Sequence, residues 1–350
     1  MRQISPRWIL AGRSLRRFGF FGLPRTIKPM EIIRDIADVG EKSFPHVAAA
    51  IGTFDGVHAG HQRIINRVVD RARQKKATGA ALTFTNHPLD ILQPDRAPRL
   101  ITPSPLKERL LGVLGVDLLI AIPFTASLAV MEAEAFVREI LWEKLHVEFL
   151  CIGFDFRFGR GRRGTPDLLK KMGKALGFEV EEVPPVTVEG AVVKSALIRD
   201  LLQQGKVGEA ARYLTRSYAI TDSIVAGAGR GKDLGFPTAN VVPPQNFLIP
   251  NGVYAGRVYV EERGFDAVIN VGVAPTFGER DRRVEVHLLD IPDDQAPGLG
   301  QTMLVTFWER IREEIRFASP EELKAQVARD IWRAREILKQ LSPADWALQG

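Results

Sequence analysis

At 350 residues the chain is longer than one typical core requires, so two domains are expected. Its 45% hydrophobic and 26% charged residues are those of an ordinary soluble globular protein. A single cysteine, Cys151, excludes an intramolecular disulfide framework and a Cys-rich zinc site, and no apolar run approaches the ~18 residues a bilayer span needs.

The net charge of +6 is unevenly placed. Arg2, Arg7, Arg13, Arg16, Arg17, Arg25 and Lys28 lie in a leader with no Asp or Glu. Without those seven, 41 basic residues face 42 acidic ones, so the body is near neutral. The leader, residues 1–29, reads as an extension outside the fold. A near-neutral body without a helix-turn-helix pattern gives no electrostatic footprint for nucleic acid.

The first strand expected is the apolar run 47–51, followed by Gly52-Thr53-Phe54-Asp55-Gly56-Val57-His58-Ala59-Gly60-His61. A helix follows, with Ile64, Ile65, Val68, Val69 and Ala72 on one face. Glycines permit a tight turn, peptide N–H groups at a helix start attract phosphate, and two imidazoles beside it can donate to phosphate oxygens. Nothing in the segment offers a nucleophile, so the expected task is to hold a nucleotide phosphate while another phosphate attacks it. Strands are expected at 80–84, 117–122, 147–152 and 179–183, and helices at 106–114, 133–145 and 166–176. Cys151 falls in the apolar run 149–152 and reads as a buried strand thiol. This alternation predicts a parallel sheet covered on both faces, with ligands at the carboxyl ends of its strands. The loops around His58 and His61, His87 and Pro88, and Gly153 to Asp155 all fall at such ends, forming one candidate site.

Around Ser217 the texture changes to short runs at 223–226, 253–260, 267–271, 284–289 and 303–307, separated by Gly/Pro/Asp-rich turns. These predict an antiparallel barrel or sandwich. A closing helix opens at Ser319-Pro320-Glu321-Glu322, with Leu323, Val327, Ile331 and Ala334 on one face. Between them, Gly227-Ala228-Gly229-Arg230-Gly231-Lys232-Asp233-Leu234-Gly235 combines flexible glycines with two cations suited to a polyphosphate, although the pattern reads equally as a surface turn. Thr238 and Asn240, two apart, share a face of an extended strand and offer oxygens to Mg²⁺ and phosphate. Glu285 alone reads as a solvated strand residue; beside a phosphate loop it becomes a candidate general base.

Together these residues resemble the bacterial bifunctional riboflavin kinase/FAD synthetase family over roughly residues 30–335. The run 52–61 resembles its nucleotidyltransferase signature, and Gly153-Phe154-Asp155-Phe156-Arg157-Phe158-Gly159 its second nucleotide- and flavin-site motif. Leu234-Gly235-Phe236-Pro237-Thr238-Ala239-Asn240 resembles the riboflavin kinase hallmark. Pro250-Asn251-Gly252-Val253-Tyr254, the run 270–277 and Glu285-Val286-His287-Leu288-Leu289-Asp290 follow in family order.

The resemblance implies a Rossmann-like FMN adenylyltransferase domain over 30–214 and a riboflavin kinase β-barrel with a C-terminal helix over 215–345. It implies that ATP phosphorylates riboflavin to FMN, and that a second ATP adenylylates FMN to FAD with release of pyrophosphate. Catalytic roles fall to Glu285 in the first step and to His58 and His61 in the second. Nucleotide contacts fall to Gly52, Phe54, Asp55, Gly60, Asp155, Ser195 and Arg199 in one domain. In the other they fall to Gly227, Gly229, Arg230, Gly231, Lys232, Gly235, Thr238 and Asn240, with Thr238 and Asn240 also holding Mg²⁺ or a similar cation. ATP, riboflavin and FMN are the expected substrates of a cytoplasmic enzyme without nucleic-acid or membrane partners; self-association is left open. Departures concentrate in the first domain: Lys194-Ser195-Ala196 replaces a serine- and threonine-rich run, Asn86 precedes His87-Pro88, and Leu214-Thr215-Arg216-Ser217 replaces Leu-Gly-Arg-Pro. The alternative is therefore a riboflavin kinase whose first domain binds nucleotide with weakened or absent turnover.

Overall fold

Two apolar pentapeptides, VAAAI and LLIAI, are buried at every position, which requires packing on both faces of the strands they form. The computed structural model describes residues 29–340 apart from 42–43, 45, 228–234, 245–246, 262, 274–281 and 293–295. Within it these strands, β2 (Val47–Ile51) and β4 (Leu118–Ile122), join β1 (Glu31–Ile33), β3 (Thr78–Phe84), β5 (Val147–Gly153) and β6 (Glu179–Val183). The sheet is wholly parallel, in the order β1-β4-β3-β2-β5-β6. Helix α1 (Ala59–Lys75) crosses from β2 to β3 and buries Gln62, Ile64, Ile65, Val68, Val69 and Ala72. The strand order reverses between β2 and β5, so their carboxyl ends flank a switch-point crevice of the kind that takes ligands in open α/β sheets. Cys151 is buried in β5, and burial pushes its thiol up to about 12, which leaves it inert.

The remaining helices of this half are α2 (Pro88–Leu92), α3 (Ser104–Val113), α4 (Ala126–Val130), α5 (Ala133–Ala135), α6 (Pro166–Leu176), α7 (Ser195–Gln203) and α8 (Val207–Leu214). The helix expected over 133–145 departs from plan: α5 passes into a π-helical stretch, Phe136–Lys144. Its buried residues are Phe136, Val137, Ile140 and Leu141, two pairs four apart that a wider turn keeps on one face. A small hairpin, β7 (Thr187–Val188) and β8 (Ala191–Val192), precedes α7.

The second half closes as a six-stranded antiparallel barrel in the order β10-β13-β12-β11-β14-β9. Its strands are β9 (Tyr218–Val225), β10 (Ala239–Val241), β11 (Gly252–Val260), β12 (Arg263–Val273), β13 (Arg282–Leu288) and β14 (Thr302–Arg312). They outrun the apolar runs of the sequence, because closure pairs each strand on both sides and draws polar flanks such as Arg263 into the ladder. Helix α9 (Pro320–Lys339) starts at Ser319, whose hydroxyl accepts from the Glu322 N–H. Of the face expected to be buried, only Ala334 is fully so. The burial shifts to Asp330, Ala334, Ile337 and Leu338, because Asp330 takes a bidentate ion pair from Arg312 on β14.

The two halves are not packed separately. Ile198, Leu201, Leu202, Val207, Ala210 and Leu214 of α7 and α8 share one apolar core with Tyr218, Tyr254 and Phe307 of the barrel. Among the described residues no helix is long and apolar enough to cross a membrane. Of the basic leader, residues 1–29, all but Pro29 lie outside the described residues.

Candidate active sites

The switch-point crevice is built around the start of α1. His58 is its N-cap, and the His58 Nδ1 accepts from the His61 N–H at 3.3 Å. A nitrogen that accepts carries no proton, so the His58 ring donates from Nε2. The two rings stack with centroids 3.6 Å apart and planes 15° from parallel, and Phe54 supports His61 edge-on at 5.4 Å. Burial pushes His58 down to about 3, with Arg216 and Arg199 adding repulsion. His61 lies well below the ordinary histidine value, through burial first and then His58, Lys107 and Arg216. Both imidazoles are therefore neutral at physiological pH and act as polar donors. A Cβ at Gly60 would stand 3.1 Å from the His58 imidazole Cε1, so a side chain there would require the ring to give by a few tenths of an ångström.

Phe54 and Val57 are buried with φ of 46° and 41°, a conformation that a β-branched side chain resists. The loop is held against that strain by its surroundings. The Asp55 carboxylate accepts from the N–H groups of Ile101 and Thr102 at 2.9 and 3.1 Å and pairs with Arg199 at 2.8 Å. Ser195 donates to the Asp55 carbonyl at 3.0 Å, and Arg199 also donates to the Arg99 carbonyl at 2.9 Å. The structure thus brings Gly52, Phe54, Asp55, His58, Gly60, His61, Ser195 and Arg199 together. It gives Asp55, Ser195 and Arg199 partners within the protein, as the framework of the loop. Asp155 stands exposed just past β5, across the crevice, and Lys194 lies 5.9 Å from the neighbouring Phe154 ring. Asn86, a departure in the sequence, bridges to the next loop: its amide exchanges hydrogen bonds with the Phe124 N–H and C=O at 2.7 and 3.1 Å. His87 caps α2.

The second centre lies on the barrel. Asn240 on β10, Glu285 on β13 and Asn270 on β12 are direct cross-strand neighbours and form one row. The Asn270 amide donates to Glu285 at 3.4 Å. Asn240 is only 4% exposed, and among the described residues its Oδ1 accepts from nothing, a buried acceptor without a partner. Thr238 is exposed two residues earlier, ahead of β10. Gly227 presses on the Asn240 amide, where a Cβ would overlap it. His287 donates to the Pro237 carbonyl at 2.9 Å and meets Phe236 edge-on, anchoring the segment before Thr238. Gly235 has φ of 86° and an exposed face, whereas Gly229, Arg230, Gly231 and Lys232 lie outside the described residues.

Sequence reasoning missed Gln62, Lys107, Arg216, Asn270 and His287. Arg216, Asn270 and His287 fall within motifs quoted above without a role of their own, and Lys107 left a local signal: a lysine in the stripe of Leu106, Leu110 and Leu111 breaks the apolar face of α3.

A neutral imidazole pair at a helix start on a parallel sheet, joined to a barrel with an Asn–Glu–Asn row, defines an enzyme class with two phosphate-handling centres. The comparisons with known proteins agree. The sequence model of the FAD synthetase family matches residues 41–197, and that of the riboflavin kinase family residues 214–338. The bifunctional riboflavin kinase/FMN adenylyltransferase of Escherichia coli strain K12 is 34% identical over 90% of this chain and 100% of its own. Its counterpart from Pseudomonas fluorescens is 34% identical over 83% and 92%. A Streptococcus pneumoniae crystal structure described as a macrolide-efflux protein superposes with a TM-score of 0.77 at 29% identity, covering 87% of this chain and 98% of that one. The chain belongs to the bifunctional riboflavin kinase/FMN adenylyltransferase family.

Proposed function

We propose that this chain converts riboflavin to FAD in two ATP-dependent steps, one at each centre. On the barrel, the ribityl 5′-hydroxyl oxygen attacks the γ-phosphorus of ATP, the β–γ bridging bond breaks and ADP leaves. The Glu285 carboxylate takes the hydroxyl proton, oriented by Asn270. In the crevice, an oxygen of the FMN phosphate attacks the α-phosphorus of a second ATP and pyrophosphate leaves. His58 and His61 donate to the phosphate oxygens as charge builds, beside the N–H groups of the first turn of α1. Neither step needs a covalent enzyme intermediate; both rest on position and charge.

Gly52, Phe54, Asp55, Gly60, Ser195 and Arg199 shape the adenylylation pocket, and Asp155 faces the nucleotide or flavin across it. Gly227, Gly229, Arg230, Gly231, Lys232 and Gly235 cover the kinase nucleotide. Thr238 and Asn240 fit a hard divalent cation such as Mg²⁺, which they would hold through the exposed hydroxyl and the buried Oδ1 that lacks a partner among the described residues. When bound, the cation neutralises phosphate charge. Residues 30–214 form the adenylyltransferase half and 215–345 the kinase half, of an enzyme working in the cytoplasm.

The observation that carries this reading is the orphaned Asn240 acceptor beside Glu285 in the same chain as the stacked, neutral His58/His61 pair. The test is product analysis after incubation with riboflavin, ATP and Mg²⁺. FAD, with FMN as intermediate, is expected; FMN alone would leave a kinase only, and neither product would refute both centres.

A further inference from the structure

Six consecutive carbonyl oxygens in the crevice loop accept hydrogen bonds from within the protein. Phe54, Asp55 and His58 are taken by the Val57 N–H, the Ser195 hydroxyl and the Gln62 N–H. The other three, Thr53, Gly56 and Val57, accept from two buried cations, with the Thr83 hydroxyl also donating to the Thr53 carbonyl at 3.0 Å. Lys107 Nζ on α3 donates to the Thr53 carbonyl at 3.2 Å, the Phe84 carbonyl at 2.6 Å and the Thr83 hydroxyl at 3.4 Å. Arg216, between α8 and β9, donates to the Gly56 carbonyl at 2.8 Å, the Val57 carbonyl at 3.4 Å, the Leu214 carbonyl at 3.2 Å and the Thr102 hydroxyl at 3.3 Å. Gln62 reinforces the same joint, donating to the Val57 and Leu214 carbonyls at 2.8 and 3.1 Å.

Lys107 and Arg216 are 4% and 6% exposed, and among the described residues neither contacts a carboxylate. Asp55 is matched by Arg199, and Glu108, the other acid near Lys107, is paired with Arg34. The imidazoles are neutral, so the loop rests on two positive charges with no contacting counter-ion. Unpaired buried charge is costly and is relieved when an anion comes close. A peptide N–H points opposite to its C=O, so drawing the Val57 carbonyl onto Arg216 and Gln62 turns the His58 N–H to the other side.

We propose that Lys107 and Arg216 are positioning residues of the adenylyltransferase centre, holding loop carbonyls away from the nucleotide and supplying the buried charge its triphosphate balances. This rests on the reading of residues 52–61 as that centre. The groups facing Lys107 are Asp55 in the loop, Glu108 on its own helix, His61 on α1 and His87 at the start of α2, with Arg199 paired to Asp55 and Arg216 interacting with it. Burial draws its ammonium down to about 8, and the imidazoles stay neutral above that, so Lys107 is the group of this set that loses charge as the pH rises through 8.

The test measures FAD formation from FMN with varied Mg-ATP on the full chain, with riboflavin phosphorylation as internal control. Lys107→Met and Arg216→Met are each expected to raise the KM for ATP in FAD formation about tenfold while kinase activity stays within about twofold, since one nearby charge is lost at one centre only. In the wild type this KM is expected to rise above about pH 8; Lys107→Arg keeps its charge and is expected to abolish that rise while retaining a near-normal KM at neutral pH. Folded Met variants with unchanged KM would overturn the proposal. So would an unaltered alkaline rise in Lys107→Arg, which decides the matter if the Met variants do not fold. A His58→Ala/His61→Ala control that still makes FAD at the wild-type rate would overturn the reading of the loop and the proposal together. Loss of FAD in that control, with normal KM in the Lys107 and Arg216 variants, would overturn the proposal alone.

Discussion

The crevice loop and the barrel row solve the same electrostatic problem in opposite ways. In the crevice, six carbonyls are tied down, two φ angles are strained and two cations are buried before any nucleotide arrives. On the barrel, among the described residues, the Asn240 acceptor is left without a partner and Glu285 takes a long bond from Asn270. The first centre is organised in advance by its own chain; the second keeps open valences, which the proposed function assigns to a nucleotide and a cation. Adenylylation should therefore be sensitive to framework residues that touch no substrate, and phosphorylation to the few groups of the row itself.

The largest effect that tests this contrast comes from the row. Glu285→Gln should lower FMN formation about a thousandfold, as expected for loss of a positioned base, with FAD synthesis from supplied FMN unchanged. Equal loss in both assays would remove the division between the centres. Gly227→Ala is next. The added methyl overlaps the Asn240 amide, so riboflavin phosphorylation should fall about tenfold through misplacement of that side chain, again without effect on adenylylation. Chromatographic separation of FMN and FAD reads both results.

Acid stability probes the preorganised side. His58 is held near 3 and His61 also well below 6.5, so the unfolded chain binds more protons than the folded one once the pH falls below about 6.5. Stability is complete above 6.5 and declines towards the folded values, by up to about 1.4 kcal/mol per pH unit for each histidine held neutral. Urea denaturation between pH 7 and 4.5 should show this slope, and His58→Gln/His61→Gln should flatten it. The smallest effect concerns Thr215, at φ 58°, a left-handed conformation that favours glycine. Its hydroxyl donates to Gln62 Oε1 at 2.9 Å, so Thr215→Gly relieves strain and loses a hydrogen bond together; melting should change by no more than about 1 kcal/mol.

What was legible in the sequence follows the range of the forces involved. The strands of the sheet are apolar runs, and α1 shows its buried stripe locally, so both could be read directly. The His58–Gly60–His61 signature at the start of α1 is likewise a local pattern. The partners that fix the loop are not: Asp55 meets Arg199 across 144 positions, and Arg216 reaches Gly56 across 160. Asn86 looked like a weakening departure, yet its amide joins two loops that only the parallel sheet brings together. The Asn240–Glu285–Asn270 row depends on barrel register, which no single strand encodes.

Complementation in trans tests the two-centre account most directly. Glu285→Gln and His58→Ala/His61→Ala, each unable to carry riboflavin to FAD alone, are mixed with riboflavin, ATP and Mg²⁺, and FAD is followed over time. Independent centres predict that the mixture makes FAD, with FMN released by one variant and adenylylated by the other. A mixture that makes no more FAD than either variant alone would contradict it.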